Sequence, residues 1–381
     1  MKKAVFFLLT IVVLLTSCGN GNKKDVTVSY DCDRNFQQYL LPYICSDNNT
    51  LFFSFADVQR LMYYDKDSGY ANLLCGKPEC THSDSDCNAH FTGTNISHYG
   101  GKLYWLDGAK NSYAIYCSNI DRTNRKRILE FNDNLFGKML SGGVGNLRYT
   151  FHRGYFYSSG TYHEIVDGVI CDCAQVFAYP LDSKNEGRMI YESIDLTNVI
   201  IQPYKNYLYF ISYNESAFEI CRYSAENDEV KVLYKGDLPL LSPKLWVTDD
   251  GMMISDDSGL VSVYKLDFEN NELNKLLNFN SNTDEKYMIY GLGDNLIIAG
   301  YDSGNAFELY IKDFDGNSVL QKAVTIPGVS EHELLTTFPC GADDDNLYLW
   351  SKVWSSEHDI QFIIAVPFNG SKDDVIWIEE K

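Results

Sequence analysis

Positive charge is scarce in this chain. It carries 32 lysines and arginines against 52 aspartates and glutamates, a formal charge of −20. Nucleic acid and anionic lipid surfaces need clustered cations, so neither is expected as a partner of the folded body. Long apolar runs are missing beyond the N-terminus, where no later segment approaches the roughly 18 consecutive apolar residues of a membrane-spanning helix. Helical periodicity is weak as well, since no stretch sustains an i, i+3, i+4, i+7 apolar pattern over three turns. Catalytic signatures are absent too: there is no nucleophile elbow, His-Glu-x-x-His helix or dinucleotide-binding fingerprint. The glycine-rich Ser141-Gly-Gly-Val-Gly145 lacks the Lys-Ser/Thr of a phosphate loop and reads as a turn.

The one long apolar run is N-terminal. Lys2 and Lys3 precede Ala4 to Leu15, and the run closes on Leu15-Thr16-Ser17-Cys18. A charged start, a short apolar stretch and a small residue before cysteine resemble a bacterial lipobox, in which the cysteine is lipidated and becomes the new N-terminus. Residues 1–17 are then a lipoprotein signal, and Cys18 is the lipidation site that anchors an exported protein to the cell membrane. Lys2 and Lys3 leave with the signal, so the charge moves from −20 to −22. The Gly-Asn-Gly-Asn-Lys-Lys that follows Cys18 reads as a flexible tether. Residues 18–45 are assigned to this tether and a closing strand, and 46–381 to the folded body.

What fills that body is a repeat. Leu51, Leu103, Phe156, Leu208, Met253, Leu296 and Leu347 each open a short apolar core just after a turn, at steps of 52, 53, 52, 45, 43 and 51 residues. Each core is followed by a second and a third aromatic-rich strand. A period in the forties to fifties with several short strands per unit predicts an all-β fold, a β-propeller of seven blades, with six or eight as the alternatives. The 28 tyrosines and 21 phenylalanines fit, because aromatics favour strands and fill the wedge between blades.

The clearest unit reads Lys102-Leu103-Tyr104-Trp105-Leu106-Asp107, then Tyr113 to Cys117, then Ile120-Asp121 and a polar turn to Arg127-Ile128-Leu129. It resembles the YWTD repeat of low-density-lipoprotein-receptor-type propellers, a resemblance that implies the fold and no ligand. Turns are expected at Asp65 to Gly69, Glu226 to Asp228, Glu269 to Asn271 and Asp315 to Asn317, where Asn, Asp and Gly supply positive φ or side-chain hydrogen bonds. Asp65-Lys-Asp-Ser-Gly69 lacks the distal ligands of a calcium loop and reads as a hairpin turn. The alternating Val26 to Tyr30 is expected to add the outer strand of the last blade and tie the termini together.

With Cys18 assigned to lipid, ten cysteines remain. In an exported chain an even number favours disulfides, and Cys32, Cys45, Cys117, Cys171, Cys173, Cys221 and Cys340 are the candidates outside one cluster. Cys171 and Cys173 are expected on one face of a strand. The cluster is Cys75-Gly-Lys-Pro-Glu-Cys80-Thr-His82-Ser-Asp-Ser-Asp-Cys87, in the connection between the first two blades. It is similar to a Cys-x-x-Pro-x-Cys-x-His-x4-Cys segment of exported propeller-like bacterial lipoproteins, a resemblance that brings no activity. Disulfides are the preferred expectation here, one local bridge with the third cysteine bonded elsewhere and His82 facing solvent. The alternative is a tetrahedral zinc site from three thiolates and an imidazole, although the x4, x1, x4 spacing differs from standard zinc knuckles and ribbons. No cofactor is the first expectation, and zinc is the alternative.

Of the seven histidines, His82, His90 and His98 crowd this connection, and His152, His163, His332 and His358 lie elsewhere. Among the many carboxylates, including Asp107, Glu164, Asp249 and Asp302, no spacing singles out a catalytic pair. The preferred expectation is a lipid-anchored binding module for a protein or carbohydrate ligand. The alternatives are a glycan- or peptide-processing enzyme with its site in the central funnel, and a metal- or redox-responsive protein built on the cysteine cluster.

Overall fold

The computed structural model describes residues 44–380, apart from 131–147 and shorter segments (48, 56–57, 110–111, 167–168, 182–186, 238–239, 242, 257–260, 280–285, 293–294, 302–305, 314–316, 326–333, 343–344 and 355–358). Its strands form seven antiparallel sheets of four, each built from four consecutive strands. This is a seven-bladed β-propeller, with no helix among the described residues. The blades occupy 44–73, 94–130, 148–193, 198–236, 243–279, 286–325 and 334–380. At six of the seven junctions the first strands of neighbouring blades lie against one another; between the last two blades, Leu334–Ala342 lies against the second strand Asn295–Tyr301.

All seven repeat anchors fall on the second strand of their blades, within Thr50–Ser54, Lys102–Ala109, Tyr155–Val166, Tyr207–Tyr213, Gly251–Asp256, Asn295–Tyr301 and Asn346–Trp354. Every anchor is buried. Seven hydrophobic clusters hold the ring, one at each junction between adjacent blades. The wedge-filling role expected of the aromatics is visible there. At the junction of blades 4 and 5, for instance, Tyr209 stacks on Phe268 with ring centroids 5.5 Å apart.

The turns between third and fourth strands explain the recurring aspartate of the repeat. Asp65 Oδ1 accepts from the Asp67 and Ser68 amides at 3.0 and 3.2 Å, and Gly69 follows at φ 68°. Asp121, Asp267 and Asp313 accept turn amides in the same way. These carboxylates are turn caps rather than ligands. In six blades the pairing of the third and fourth strands carries a register shift. Such a bulge twists the outer strand and blunts an otherwise open sheet edge.

Among the described residues the last blade draws its four strands from its own sequence, with Asp374–Glu380 at the outer position. Val26 to Tyr30 lies outside the described residues, as do Cys18 and Cys32. Side-chain packing joins blade 7 to blade 1: Leu51, Phe53, Phe55 and Met62 meet Cys340, Tyr348 and Ile363, and Trp377 lies edge-on to Phe53 at 6.0 Å. The first strand of blade 1, Ile44–Ser46, begins just inside the segment assigned to the tether.

Candidate metal centre

The connection between blades 1 and 2 leaves strand Tyr70–Leu73 and reaches strand Thr94–Tyr99 through a chain of tight turns. The Cys80 amide donates to Lys77 O at 3.2 Å, the Cys87 amide to Asp84 O at 2.9 Å and the His90 amide to Cys87 O at 3.1 Å. Asp84 Oδ1 caps the middle turn by accepting from the Asp86 amide at 3.0 Å. These reversals fold the segment back on itself. Cys75, Cys80, His82 and Cys87 converge, with one donor atom from each lying within 4.8 Å of all the others.

A zinc ion with Zn–S near 2.3 Å sets tetrahedral sulfurs about 3.8 Å apart, so contraction of about 1 Å closes this set on a metal. His82 Nδ1 already stands 3.4 Å from Cys87 Sγ. Two further features suit thiolate ligands. Amides two residues on donate to sulfur, from Ala89 to Cys87 Sγ at 3.3 Å and from Lys77 to Cys75. Burial raises the Cys75 thiol, but hydrogen bonds from the Lys77 backbone and from Cys87 and Cys80 outweigh it and hold Cys75 below the usual thiol value. Cys87 is raised, first by burial and then by Cys80. His82 sits at φ 60°, the left-handed region that costs a β-carbon residue about 1–2 kcal/mol. That conformation is retained where the imidazole meets the cysteines.

The segment after Cys87 is wedged between two blades. On the blade 1 side, Ala89 O accepts from the Leu61 amide at 2.7 Å and the Phe91 amide donates to Gln59 O at 2.9 Å. On the blade 2 side, Asn88 Nδ2 donates to Asp121 O at 2.8 Å and Thr92 Oγ1 to Asp107 Oδ2 at 2.9 Å. Phe91 fills the junction with Phe52 and Leu61 below it and Ile96, Leu103 and Trp105 beyond it. Burying that ring contributes roughly 2–3 kcal/mol.

Two arginines that the sequence reading did not single out complete the surroundings. Arg125 donates to Ser85 O at 2.8 Å and to the carbonyl of Cys87. Arg122 is 3 % exposed, lies over the Trp105 ring at 4.1 Å and donates to His90 O at 3.0 Å. Its Nε and Nη1 have no hydrogen-bond partner among the described residues. Burial, then Arg125, pulls the basicity of Arg122 below the usual guanidinium value, to about 9, with Asp107 and Cys87 opposing. The available signal was the basic run Arg122 to Arg127 in an acidic chain.

The other candidate residues do not join this centre. His90 lies in the wedge and His98 on the first strand of blade 2; neither belongs to the four-residue cluster. Asp107 and Asp249 stand in separate blades, Asp107 accepting from Thr92 and Asp249 from Tyr204 and Lys205. Glu164 pairs with Cys171 across the long blade 3 hairpin, and Asp302 lies outside the described residues. Cys45, Cys117, Cys171, Cys173, Cys221 and Cys340 are free thiols, so the disulfides expected of them are absent among the described residues. They are dispersed: Cys117 and Cys173 sit between blades 2 and 3, Cys221 between 3 and 4, Cys340 between 7 and 1. Burial pushes Cys221 up to about 12 and Cys340 higher still, the behaviour of small apolar core residues. Cys171 and Cys173 do share one face of their strand, toward the same cluster.

No protein-family model and no curated protein sequence matches the chain. Among solved structures, the β-propeller domain of the Trilobed protease from Pyrococcus furiosus, reported to have an open velcro topology, is similar at TM-score 0.52 and 10% identity, over 90% of this chain and 96% of that one. A prolyl endopeptidase is similar at TM-score 0.57 and 12% identity, over 94% of this chain and 51% of that one. The likeness is one of fold. The chain spans about half the length of that endopeptidase.

Proposed function

We propose that this protein is a zinc-stapled β-propeller, exported and tethered by lipid at Cys18, that serves as a binding module at the cell envelope. The observation that carries the staple is the convergence of Cys75, Cys80, His82 and Cys87 with four protein donors. Four protein ligands close a tetrahedral ion and leave no position for water or substrate, which is the pattern of structural rather than catalytic zinc. The ion then supplies cohesion. Cys75 extends from the outer strand of blade 1, while Cys87 is held by Arg125 of blade 2, so a shared metal fastens the seam between them. The propeller is the rigid scaffold, and its loops present the surface for a protein or carbohydrate ligand.

Mass spectrometry of the exported protein, native and then denatured without reductant, tests the staple. The expected result is a loss of about 65 Da on denaturation, as zinc leaves the unfolded thiolates. A metal-free protein lighter than the all-thiol chain by about 2 Da per bridge would replace the staple with disulfides.

A further inference from the structure

Arg122 poses an electrostatic problem that the zinc reading resolves. A guanidinium 3 % exposed, with two nitrogens lacking hydrogen-bond partners among the described residues, is an expensive group to leave without a counter-charge. Its neighbourhood worsens matters, because Arg125 adds a second positive charge; the Arg125 Nε bonds the Arg122 carbonyl at 3.2 Å. Asp107, which also accepts a hydrogen bond from Thr92, acts on Arg122 from the blade 2 sheet and offsets only part of the combined charge of the two arginines. Stacking on Trp105 and Phe91 holds the guanidinium plane without neutralising it. The metal centre presents the opposite problem. One Zn2+ with three thiolates and a neutral imidazole carries a net charge of −1, next to Cys87, which is itself buried.

We infer that Arg122 is the built-in counter-ion of the metal centre, a positioning residue whose buried positive charge balances the zinc–tristhiolate anion across the seam of blades 1 and 2. Resting on the zinc reading above, the inference assigns a role to a residue that touches no donor atom by hydrogen bond. It has a sign that simple packing lacks. With metal bound, the Arg122 charge is compensated and favours zinc retention. With metal removed and the thiols protonated, the same charge keeps only Asp107 to offset it and Arg125, and it destabilises the fold. A neutral replacement of similar length therefore weakens zinc binding and stabilises the apo-protein. A residue that merely stacks on Trp105 would, once removed, weaken both states.

The test uses the full exported chain as wild type, Arg122→Met and Arg122→Lys, each with zinc and after chelation. Zinc affinity is read by competition with a chromophoric chelator, and apo stability by urea unfolding. Arg122→Met is expected to bind zinc about 10–100-fold more weakly, the range for outer-shell partners of metal ligands, while its apo form unfolds at equal or higher urea. Arg122→Lys, which keeps the charge, is expected to recover most of the affinity. Unchanged zinc affinity in Arg122→Met, or an apo form that loses stability in step with the zinc form, overturns the role of Arg122 and leaves the staple standing. A wild-type protein that takes up no zinc overturns both.

Discussion

His82 separates a metal centre from a disulfide staple, because an imidazole is a ligand in the first and a bystander in the second. Two replacements are informative together. His82→Ala removes the imidazole and keeps a β-carbon at φ 60°, whereas His82→Gly removes both the ligand and the strain. In metal-free protein the left-handed conformation costs about 1–2 kcal/mol and glycine gives back part of that through its greater chain entropy, so apo H82G is expected to exceed apo H82A by about 1 kcal/mol. Zinc reverses the comparison with wild type. At free zinc of about 100 Kd, wild type gains about 2.7 kcal/mol from binding to the folded state alone. A ligand deletion that weakens binding about a hundredfold leaves a gain of about 0.4 kcal/mol at the same zinc concentration. The zinc-dependent increment therefore shrinks by about 2.3 kcal/mol in both variants. Urea unfolding with and without zinc, on chelated and reloaded protein, measures it directly. An alanine variant that keeps the full increment removes His82 from the ligand set, and a wild type with no increment removes the metal.

The remaining predictions concern the frame around the centre. Phe91→Ala empties the wedge between blades 1 and 2 and is expected to cost about 3–5 kcal/mol, seen as a fall of about 4–7 °C in calorimetric Tm for a chain of this size; a fall under about 1 °C would mean the wedge bears no load. Gly291→Ala places a β-carbon 2.2 Å from the buried Trp246 ring, whereas Gly341→Ala meets Tyr348 at an ordinary 3.9 Å. The first should lose about 1–3 kcal/mol and the second very little, and equal effects in urea unfolding would contradict the packing of neighbouring inner strands. Alkaline pH should unfold the protein. Burial, followed by Cys117 for Tyr104, raises Tyr104 and Tyr191 from 10.0 to about 12, so the unfolded chain loses protons first and stability falls as pH rises from about 10 through 12. Urea midpoints that stay flat between about pH 9 and 11, with tyrosinate absorbance already developed in the folded protein, would refute that burial.

The propeller was legible because its signal is carried by local chemistry repeated seven times. Leu51, Leu103, Phe156, Leu208, Met253, Leu296 and Leu347 mark the same position in every blade, and each needs only the alternation of its own strand to be recognised. The steps between anchors vary for reasons visible afterwards. The 43- and 45-residue steps span compact blades, while a 52-residue step absorbs the turns of the Cys75 to Cys87 connection. The first strand of blade 1, Ile44–Ser46, escaped notice because three residues are too few to show a period. The strand Asp374–Glu380 was legible from its own apolar run as the end of the last unit.

The site was half legible for the same reason. Cys75, Cys80, His82 and Cys87 lie within 13 residues, so spacing alone brings them to attention. Arg122 and Arg125 are 35 and 38 residues beyond Cys87 at the far end of another sheet, and only the junction of two blades brings them to it. That difference follows from how a propeller is made. Within a blade, partners are neighbours in sequence, whereas across a seam they are separated by roughly one repeat. Cysteine counting could not place the thiols for a related reason: an even total says nothing about distance, and Cys117, Cys221 and Cys340 occupy different seams where each thiol fills space. The four residues that do converge lie in a connection long enough to fold back on itself. A ring of blades with hydrophobic seams gains most from a fastener where such a connection is wedged into one of them, and the segment from Cys75 to Phe91 is built there.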